Sequence, residues 1–527
     1  MTNRRDILKT TLAGGVGLLF AGNVFGAEKH QNKEANNQIN SNDVTITDFG
    51  ARTDLPNNAE AIQKAIDHCA ANGGGIVRIP QGTFNSGTII LKDRIHLWLH
   101  PNAELKGIPD LTVYYRRGLV LAVKAKDISI IGSGTLNGNG SHPDLQFGNN
   151  SGRCPHLVEL LECTNVLIQD VKLYNSASWT LRLHLCDGVR VHNIILTCND
   201  NWNCDGVDIN SKNVILSNSV IDCDDDAICL KSDSADFIVE NVTVTNCIVA
   251  SSCNAIKLGT QSRGGFRNVS ISNCVVRKVS GTHMQNWSTR ISRLTAEVTV
   301  ISGIALEVVD GGFMDRVVIS NISMQDVQTP LFIRLGNRRG RGTLKNVIIS
   351  GITARNESLI TSSITGIPSS YVENVTIRDI FFDYMGGGDE KDASITVPEK
   401  ENEYPENRMF GDVLPSYGLY VRHVKNLTIE NFQCIKRQSD ARPVFIFDDV
   451  HNLWINNFQT EVPENNAPIM RLIESSDFVV SGFRTQQTVP LFLKAEGQSS
   501  KNIDIRSNDF SRIQRKAIID GAIEIKQ

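Results

Sequence analysis

Positive charge is not in surplus: 53 Lys and Arg stand against 57 Asp and Glu, for a net charge of -4 and an isoelectric point near 6.3. Nucleic-acid partners select a basic surface, so that class is set aside. Aromatic residues are scarce at 6%, while glycine is abundant at 41 residues, a balance that suits strands joined by many tight turns. A break in composition is also missing. The 527 residues, enough for several ordinary domains, therefore argue for one elongated repeat architecture. Long apolar runs are missing too: the stretch from Thr10 to Phe25 is short and interrupted by glycine, so no transmembrane helix is expected.

That stretch has another use. Asn3-Arg4-Arg5-Asp6-Ile7-Leu8-Lys9 ahead of a modest hydrophobic segment is similar to a twin-arginine export signal, with Val24 and Gly26 as small positions before a cut at Ala27. The expected organisation is a signal peptide over 1–26, a linker over 27–42 rich in Asn, Gln and Lys, and one domain over 43–527. The product is expected in the periplasm or outside the cell, without stable membrane insertion once the signal is removed.

What recurs is a phrase. It reads NVLIQDVKL at Asn165, GVRVHNIIL at Gly188, NVILSNSVI at Asn213, NVTVTNCIV at Asn241 and NVSISNCVV at Asn268, at intervals of about 23 to 28 residues, one coil of a β-solenoid. It continues from Arg316, Asn346, Asn374, Asn426 and Asn452. Each phrase alternates apolar and polar positions, as a strand with one buried face must. Leucine-rich repeats share this period, but they need a Leu consensus and usually a helix, and these phrases are rich in Val and Ile. The expected fold is all-β, a right-handed single-stranded parallel β-helix. Asn-x-Thr and Asn-x-Ser triplets such as Asn241-Val242-Thr243 follow from the repeat rather than from glycosylation. The wide gap between Asn374 and Asn426 leaves room for an insert, residues 383–417, placed to block one end of a groove. One helix is expected early: Asn58, Ala61, Ile62, Ala65, Ile66 and Cys69 have helical spacing before Gly73-Gly74-Gly75, and would cap the open end of the solenoid. Twelve cysteines in an exported chain invite disulfides, yet Cys163, Cys186, Cys223, Cys247 and Cys274 recur at coil spacing, so free buried thiols are expected.

The densest chemistry lies in NCDGVDI (Asn203 to Ile209), DCDDDAICLKS (Asp222 to Ser232) and CNAIKLGT (Cys253 to Thr260). If Val207, Ile228 and Ile256 stack inward, then Asp205, Asp226 and Asn254 share one column, and Asp208, Cys229 and Lys257 share an outward one. Coils stack about 4.8 Å apart, which makes Asp205 and Asp226 near neighbours, with Asp225 beside them. Carboxylates so crowded cannot all ionise freely, and a protonated acid beside ionised carboxylates is the equipment of glycoside hydrolysis. The acidic run Asp222 to Asp226 is alternatively a calcium site, as in calcium-dependent polysaccharide lyases.

At these residues the sequence resembles glycoside hydrolase family 28, the polygalacturonase family. The family's Asn-x-Asp appears as Asn203-Cys204-Asp205, and its Asp-Asp pair, apolar strand and Lys-Ser as Asp225-Asp226-Ala227-Ile228-Cys229-Leu230-Lys231-Ser232. VTITDFGA, GGGIVRIPQGTF, GTLNGNG, RCPHLVELLECTNV and NSASWTLRLHLC add to the likeness, which covers roughly residues 44 to 350. The resemblance implies a pectin-lyase-like solenoid and an inverting hydrolase of a pectic polysaccharide or oligosaccharide. It implies Asp225 as general acid, with Asp205 and Asp226 activating water. Substrate contacts are expected from Asn203, Asp208, Lys231, Asn254, Lys257 and Glu307, with Lys231 alternatively paired to Asp226. No cofactor or metal is implied, and the protein is expected to act as a monomer.

Two departures bear on specificity. The family's Gly-His-Gly stands here as Cys253-Asn254-Ala255, and its carboxylate-binding Arg-x-Lys as Ala305 and Glu307. A carboxylate facing a uronate repels it, so a mixed pectin such as rhamnogalacturonan is expected over plain polygalacturonate, with Lys257 as a replacement cation. Alternatively Glu307 is buried against Arg316. Two other classes stay open: a calcium-dependent pectate lyase, and a non-catalytic carbohydrate-binding solenoid, the latter suggested by the missing histidine.

Overall fold

The computed structural model describes residues 42–146, 149–150, 154–281, 300–520 and 525–526. The export signal over 1–26 and the linker, up to residue 41, lie outside the described residues. Ser41–Gln527 forms a single unit.

Stacking of like on like builds that unit. Ile128, Val166, Val189, Val214, Val242, Val269, Val317, Val347, Val375, Leu427, Leu453, Phe478 and Ile503 pair in register, each with its counterpart one coil on. All of them are buried. This is one inner column of a right-handed parallel β-helix, and the expected fold is the observed one. Every pairing between the named strands is parallel. Burying one such Val or Leu is worth roughly 1.5–3 kcal/mol, and each inward position of the repeat adds another column.

Asparagine turns the corners. The residues that open the phrases, among them Asn213, Asn241, Asn268, Asn346, Asn374, Asn426 and Asn452, all have φ between 54° and 59°. That is the left-handed region, which Asn tolerates better than other residues with a Cβ. Their amides also form a ladder along the outside: Asn241 donates to Asn213 at 2.9 Å, Asn268 to Asn241 at 3.2 Å, Asn374 to Asn346 at 2.9 Å and Asn426 to Asn374 at 2.8 Å. Arg316 takes the Asn place once, with φ 56° and its Nε donating to Asn268 at 2.8 Å. The recurring Asn-x-Thr triplets therefore have a structural use.

The early helix spans Ala59–Ala71 and buries Ile62, Ala65, Ile66 and Cys69 against the first coil, as its spacing predicts. All twelve cysteines are unbonded, eleven buried and Cys253 half-buried. The long insert between the strands Val372–Tyr384 and Leu419–Lys436 folds back onto the barrel. Its Val397, Phe410 and Leu414 pack with Ala305, Phe332, Tyr420 and Ile446. Two buried arginines tie it down: Arg334 donates to the carbonyls of Gly366, Glu399 and Lys400, and Arg442 to those of Leu359 and Leu414.

Asn241→Ala removes two ladder hydrogen bonds and leaves an ordinary residue at positive φ, an expected loss of about 2 kcal/mol. Asn241→Gly should cost less, since glycine adopts that region freely. Thermal unfolding of the two variants checks this, and an alanine variant as stable as the parent would remove the ladder from the account.

Candidate active site

Coil stacking brings the carboxylates together. Thr180 N–H donates to the Asp205 carbonyl at 2.8 Å, Gly206 N–H to the Asp226 carbonyl at 2.9 Å, and Ala227 N–H to the Asn254 carbonyl at 2.9 Å. These rungs continue into the strands, where Val207 pairs with Ile228 and Ile228 with Ile256, while Asp208, Cys229 and Lys257 align outward. The expected register is the observed one. Gly206 is needed where it stands, since a Cβ there would lie 2.4 Å from the Ala227 carbonyl oxygen and push the two acidic coils apart.

Charge is compensated unequally. Asp226 is buried, which alone would raise its pKa. Lys257 Nζ at 3.0 Å, the charge of Lys231 and the Asn254 amide at 2.7 Å outweigh that and hold it down at about 2. Asp225 goes the other way: burial first, then the charges of Asp205 and Asp226, push it up to about 7 against the pull of Lys257 and Lys231. Asp225 is also the one of the three that stays partly exposed. Lys231 sits 2.7 Å from Asp205 and 2.9 Å from Asp208, so two carboxyls share one ammonium. Burial, with the Asp208 charge added, holds Asp205 well above the ordinary range. Lys231 thus pairs with Asp205 and Asp208; the alternative of a pair with Asp226 is corrected.

A cavity of about 240 Å³ opens onto Asp205, Asp225 and Asp226. Of the expected substrate contacts, Asn203, Lys231 and Lys257 line it, and Asp208, Asn254 and Glu307 do not. Asp208 pairs with Lys231 and lines a small neighbouring concavity with Trp179 and Gln261. Asn254 is buried and donates to Asp226, so it orients a carboxylate instead of facing a sugar. Glu307 is fully buried and accepts from Thr260 Oγ1 at 2.8 Å, with Lys257 3.9 Å away; burial, against the pull of Lys257, raises its pKa to about 7. Ala305 lies under the insert. Neither faces a ligand, which removes the expected repulsion, and Arg316 pairs with Asp315 rather than with Glu307.

Other residues complete the cleft: Trp179, Thr260, Gln261, Arg338, Arg339 and Tyr404. Trp179 stacks on His156 with ring centroids 5.4 Å apart, and Lys231 Nζ lies 4.7 Å from its ring. Tyr404 arrives from the insert, with Lys257 and Arg338 against its ring at 5.7 and 5.3 Å. The arginine run in LGNRRGRG at 335–342 was a visible signal for Arg338 and Arg339; nothing local in the sequence marks Tyr404. A larger concavity, about 510 Å³ and lined by Asp389, Glu390, Asp440 and Glu464 among others, has no such convergence of acid, base and aromatic groups. Volume does not identify this site; chemistry does.

Among the described residues, Asp225, Asp226 and Cys253 bring ligand atoms within 4.8 Å of one another. Calcium prefers six to eight oxygens, and burial raises the Cys253 thiol well above its ordinary pKa. The set is a poor calcium site, which weighs against the lyase alternative.

Comparison with known proteins places the chain in a family. The family model for glycosyl hydrolases family 28 matches residues 69–402. A probable rhamnogalacturonase A of Aspergillus oryzae is 26% identical over 308 residues, covering 52% of this chain and 61% of that protein. Polygalacturonase QRT2 of Arabidopsis thaliana is 22% identical over 355 residues, covering 60% of this chain and 73% of that one. The chain therefore spans about three fifths of the length of the first relative. A solved exopolygalacturonase from Thermotoga maritima superposes with a TM-score of 0.55 at 23% identity, over 65% of this chain and 87% of that one. At that identity the likeness is one of fold.

Asp224 offers a test of the electrostatics. It is fully buried, neither carboxyl oxygen accepts a hydrogen bond of good geometry, and burial with the neighbouring Asp225 and Asp205 charges raises its pKa to about 8 against a weak pull from the Asn203 backbone N–H. An unfolded aspartate releases its proton near about 4. Stability from this group is therefore present at low pH and lost as pH rises towards about 8, because the unfolded chain ionises first. Asp224→Asn is expected to gain in melting temperature on the parent as pH goes from about 5 to about 8; an unchanging gap would place Asp224 in a partnered environment.

Proposed function

The chain belongs to glycosyl hydrolases family 28, and from that premise we propose that it cleaves a glycosidic bond in a mixed pectin by single displacement with inversion. One observation carries the assignment: Asp226 is held by Lys257 at 3.0 Å and Asn254 at 2.7 Å, while the adjacent Asp225 faces the cleft with no ion pair among the described residues, so the first is held down at about 2 and the second pushed up to about 7. Asp225, protonated and partly exposed to the cleft, gives its proton to the leaving oxygen as the C–O bond breaks. Asp226, ionised, takes a proton from the water that attacks the anomeric carbon from the opposite face, and Asp205 hydrogen-bonds that water. Lys257 and Asn254 keep Asp226 ionised, and Asn254 so serves at the place of the family histidine. Trp179, partly exposed and lining the cavity beside the acids, offers aromatic surface to a sugar ring.

The substrate reading rests on charge. Lys231, Lys257 and Arg338 line the cleft but are already held by Asp205 and Asp208, by Asp226, and by Asp310. A site with so little free positive charge suits a polymer in which neutral and acidic sugars alternate, as in rhamnogalacturonan, better than one with a carboxylate on every residue. The relatives' names include both rhamnogalacturonase and polygalacturonase. The insert bearing Tyr404 supports attack from a chain end. We also propose export through Arg4 and Arg5; no described helix is long and apolar enough to cross a membrane.

Asp225→Asn is expected to lower kcat by several orders of magnitude with little change in melting temperature. In the parent, activity should fall as pH rises through about 7, where Asp225 loses the proton that it must donate. Reducing-end release should be faster on rhamnogalacturonan than on polygalacturonate, and NMR should show the inverted anomer first. Near-parental turnover in Asp225→Asn ends the assignment of the acid. For export, Lys at both Arg4 and Arg5 should leave the precursor in the cytoplasm on fractionation.

A further inference from the structure

Four cations line the cleft, and their partners differ. Lys231 lies 2.7 Å from Asp205, Lys257 lies 3.0 Å from Asp226, and Arg338 grips Asp310 with both fork nitrogens at 2.7 and 2.5 Å. Arg339 is exposed, lines the same cavity, and makes no hydrogen bond or ion pair among the described residues. Its backbone is nevertheless well held. It sits near the end of the strand Phe313–Gly340, next to the anchored Arg338, and Asn337 N–H donates to the Glu401 carbonyl at 2.7 Å.

We infer that Arg339 recognises an acidic sugar in this cleft, holding the carboxylate of a uronate in the cavity that contains Asp225. The inference rests on the glycosidase reading and names the substrate contact that it leaves open. An anion placed near Asp205, Asp225 and Asp226 meets a cluster of carboxyls whose cations are already engaged. It needs a positive group of its own, and Arg339 is the one at hand. A guanidinium forks onto a carboxylate in two parallel hydrogen bonds, which gives direction as well as charge. Ala305 lies beneath the insert and Glu307 is fully buried on Thr260, so neither faces the ligand. One unpaired cation among the described residues that line about 240 Å³ selects one acidic sugar and leaves its neighbour neutral.

The test is calorimetric binding to the Asp225→Asn protein, which holds substrate without turnover. The probes are a rhamnose–galacturonate oligosaccharide and its methyl ester, equal in shape but not in charge. The acid should bind about tenfold or more tightly than the ester, the range of a charge-assisted hydrogen bond. Adding Arg339→Ala should abolish that preference while leaving the ester's affinity within about twofold, and Arg339→Lys should restore part of it. Equal affinity for acid and ester, an equal loss for both on adding Arg339→Ala, or no binding of either overturns the inference. Turnover of mixed pectin by the parent separates the two readings. If the parent cleaves but Arg339 shows no preference, only the Arg339 assignment falls. If it cleaves nothing while the preference holds, the glycosidase reading falls and the recognition stands.

Discussion

Coil-to-coil register governs this molecule. Because each strand pairs in parallel with its counterpart about 4.8 Å away, a residue type placed at one position of the repeat becomes a column. Valines make the core that way, asparagines the outer ladder, and Asp205, Asp226 and Asn254 a polar column whose two carboxyls reach the cleft. A slip of one residue would turn every inner column outward, so the hydrophobic pattern that stabilises the solenoid also positions the catalytic candidates. Gly206 is the narrowest point of that arrangement, where two acidic coils approach with no space for a side chain.

Stacked carboxylates carry an electrostatic cost, and the way it is met gives the site its chemistry. Two lysines, Lys257 buried and Lys231 mostly so, answer the acids unequally. Lys257 and Asn254 concentrate on Asp226, Lys231 is shared by Asp205 and Asp208, and Asp225 is left without a close cation. Desolvation acts on all of them, and Asp225 is the least enclosed, so its higher proton affinity comes from where the ammonium groups sit. Glu307 joins the same network from below. Its carboxyl, raised by burial, faces Thr260 and Lys257 rather than the ligand.

Periodic features were legible in the chain because the physics behind them is local. Alternation of Val and Ile with polar residues requires a strand with one buried face, its recurrence requires a solenoid, and the spacing of Ile62, Ala65, Ile66 and Cys69 requires a helix. Register then followed from aligning Val207, Ile228 and Ile256, which put the three aspartates together correctly. Roles that depend on what covers a residue did not follow. Asn254 and Asp208 have the chemistry of substrate contacts, but a neighbouring carboxylate and ammonium engage them first. Lys231 lies five residues from Asp226 in sequence, yet it finds Asp205 on the preceding coil.

The sequence alone determined the repeat, the handed solenoid that its period and resemblance imply, and the column of aspartates, since each depends only on spacing along the chain and on the fixed rise between coils. Tertiary structure decided which polar groups remain free. An insert returning from residues 385–418 covers Ala305 and brings Tyr404 over Lys257, while Asp310 takes up Arg338 and leaves Arg339 to the cleft. Those outcomes turn on contacts between segments up to about a hundred residues apart, such as the 2.8 Å bond from Asn407 to the Ile301 carbonyl. No local pattern encodes them, because burial and ion pairing are properties of the neighbours that the fold supplies.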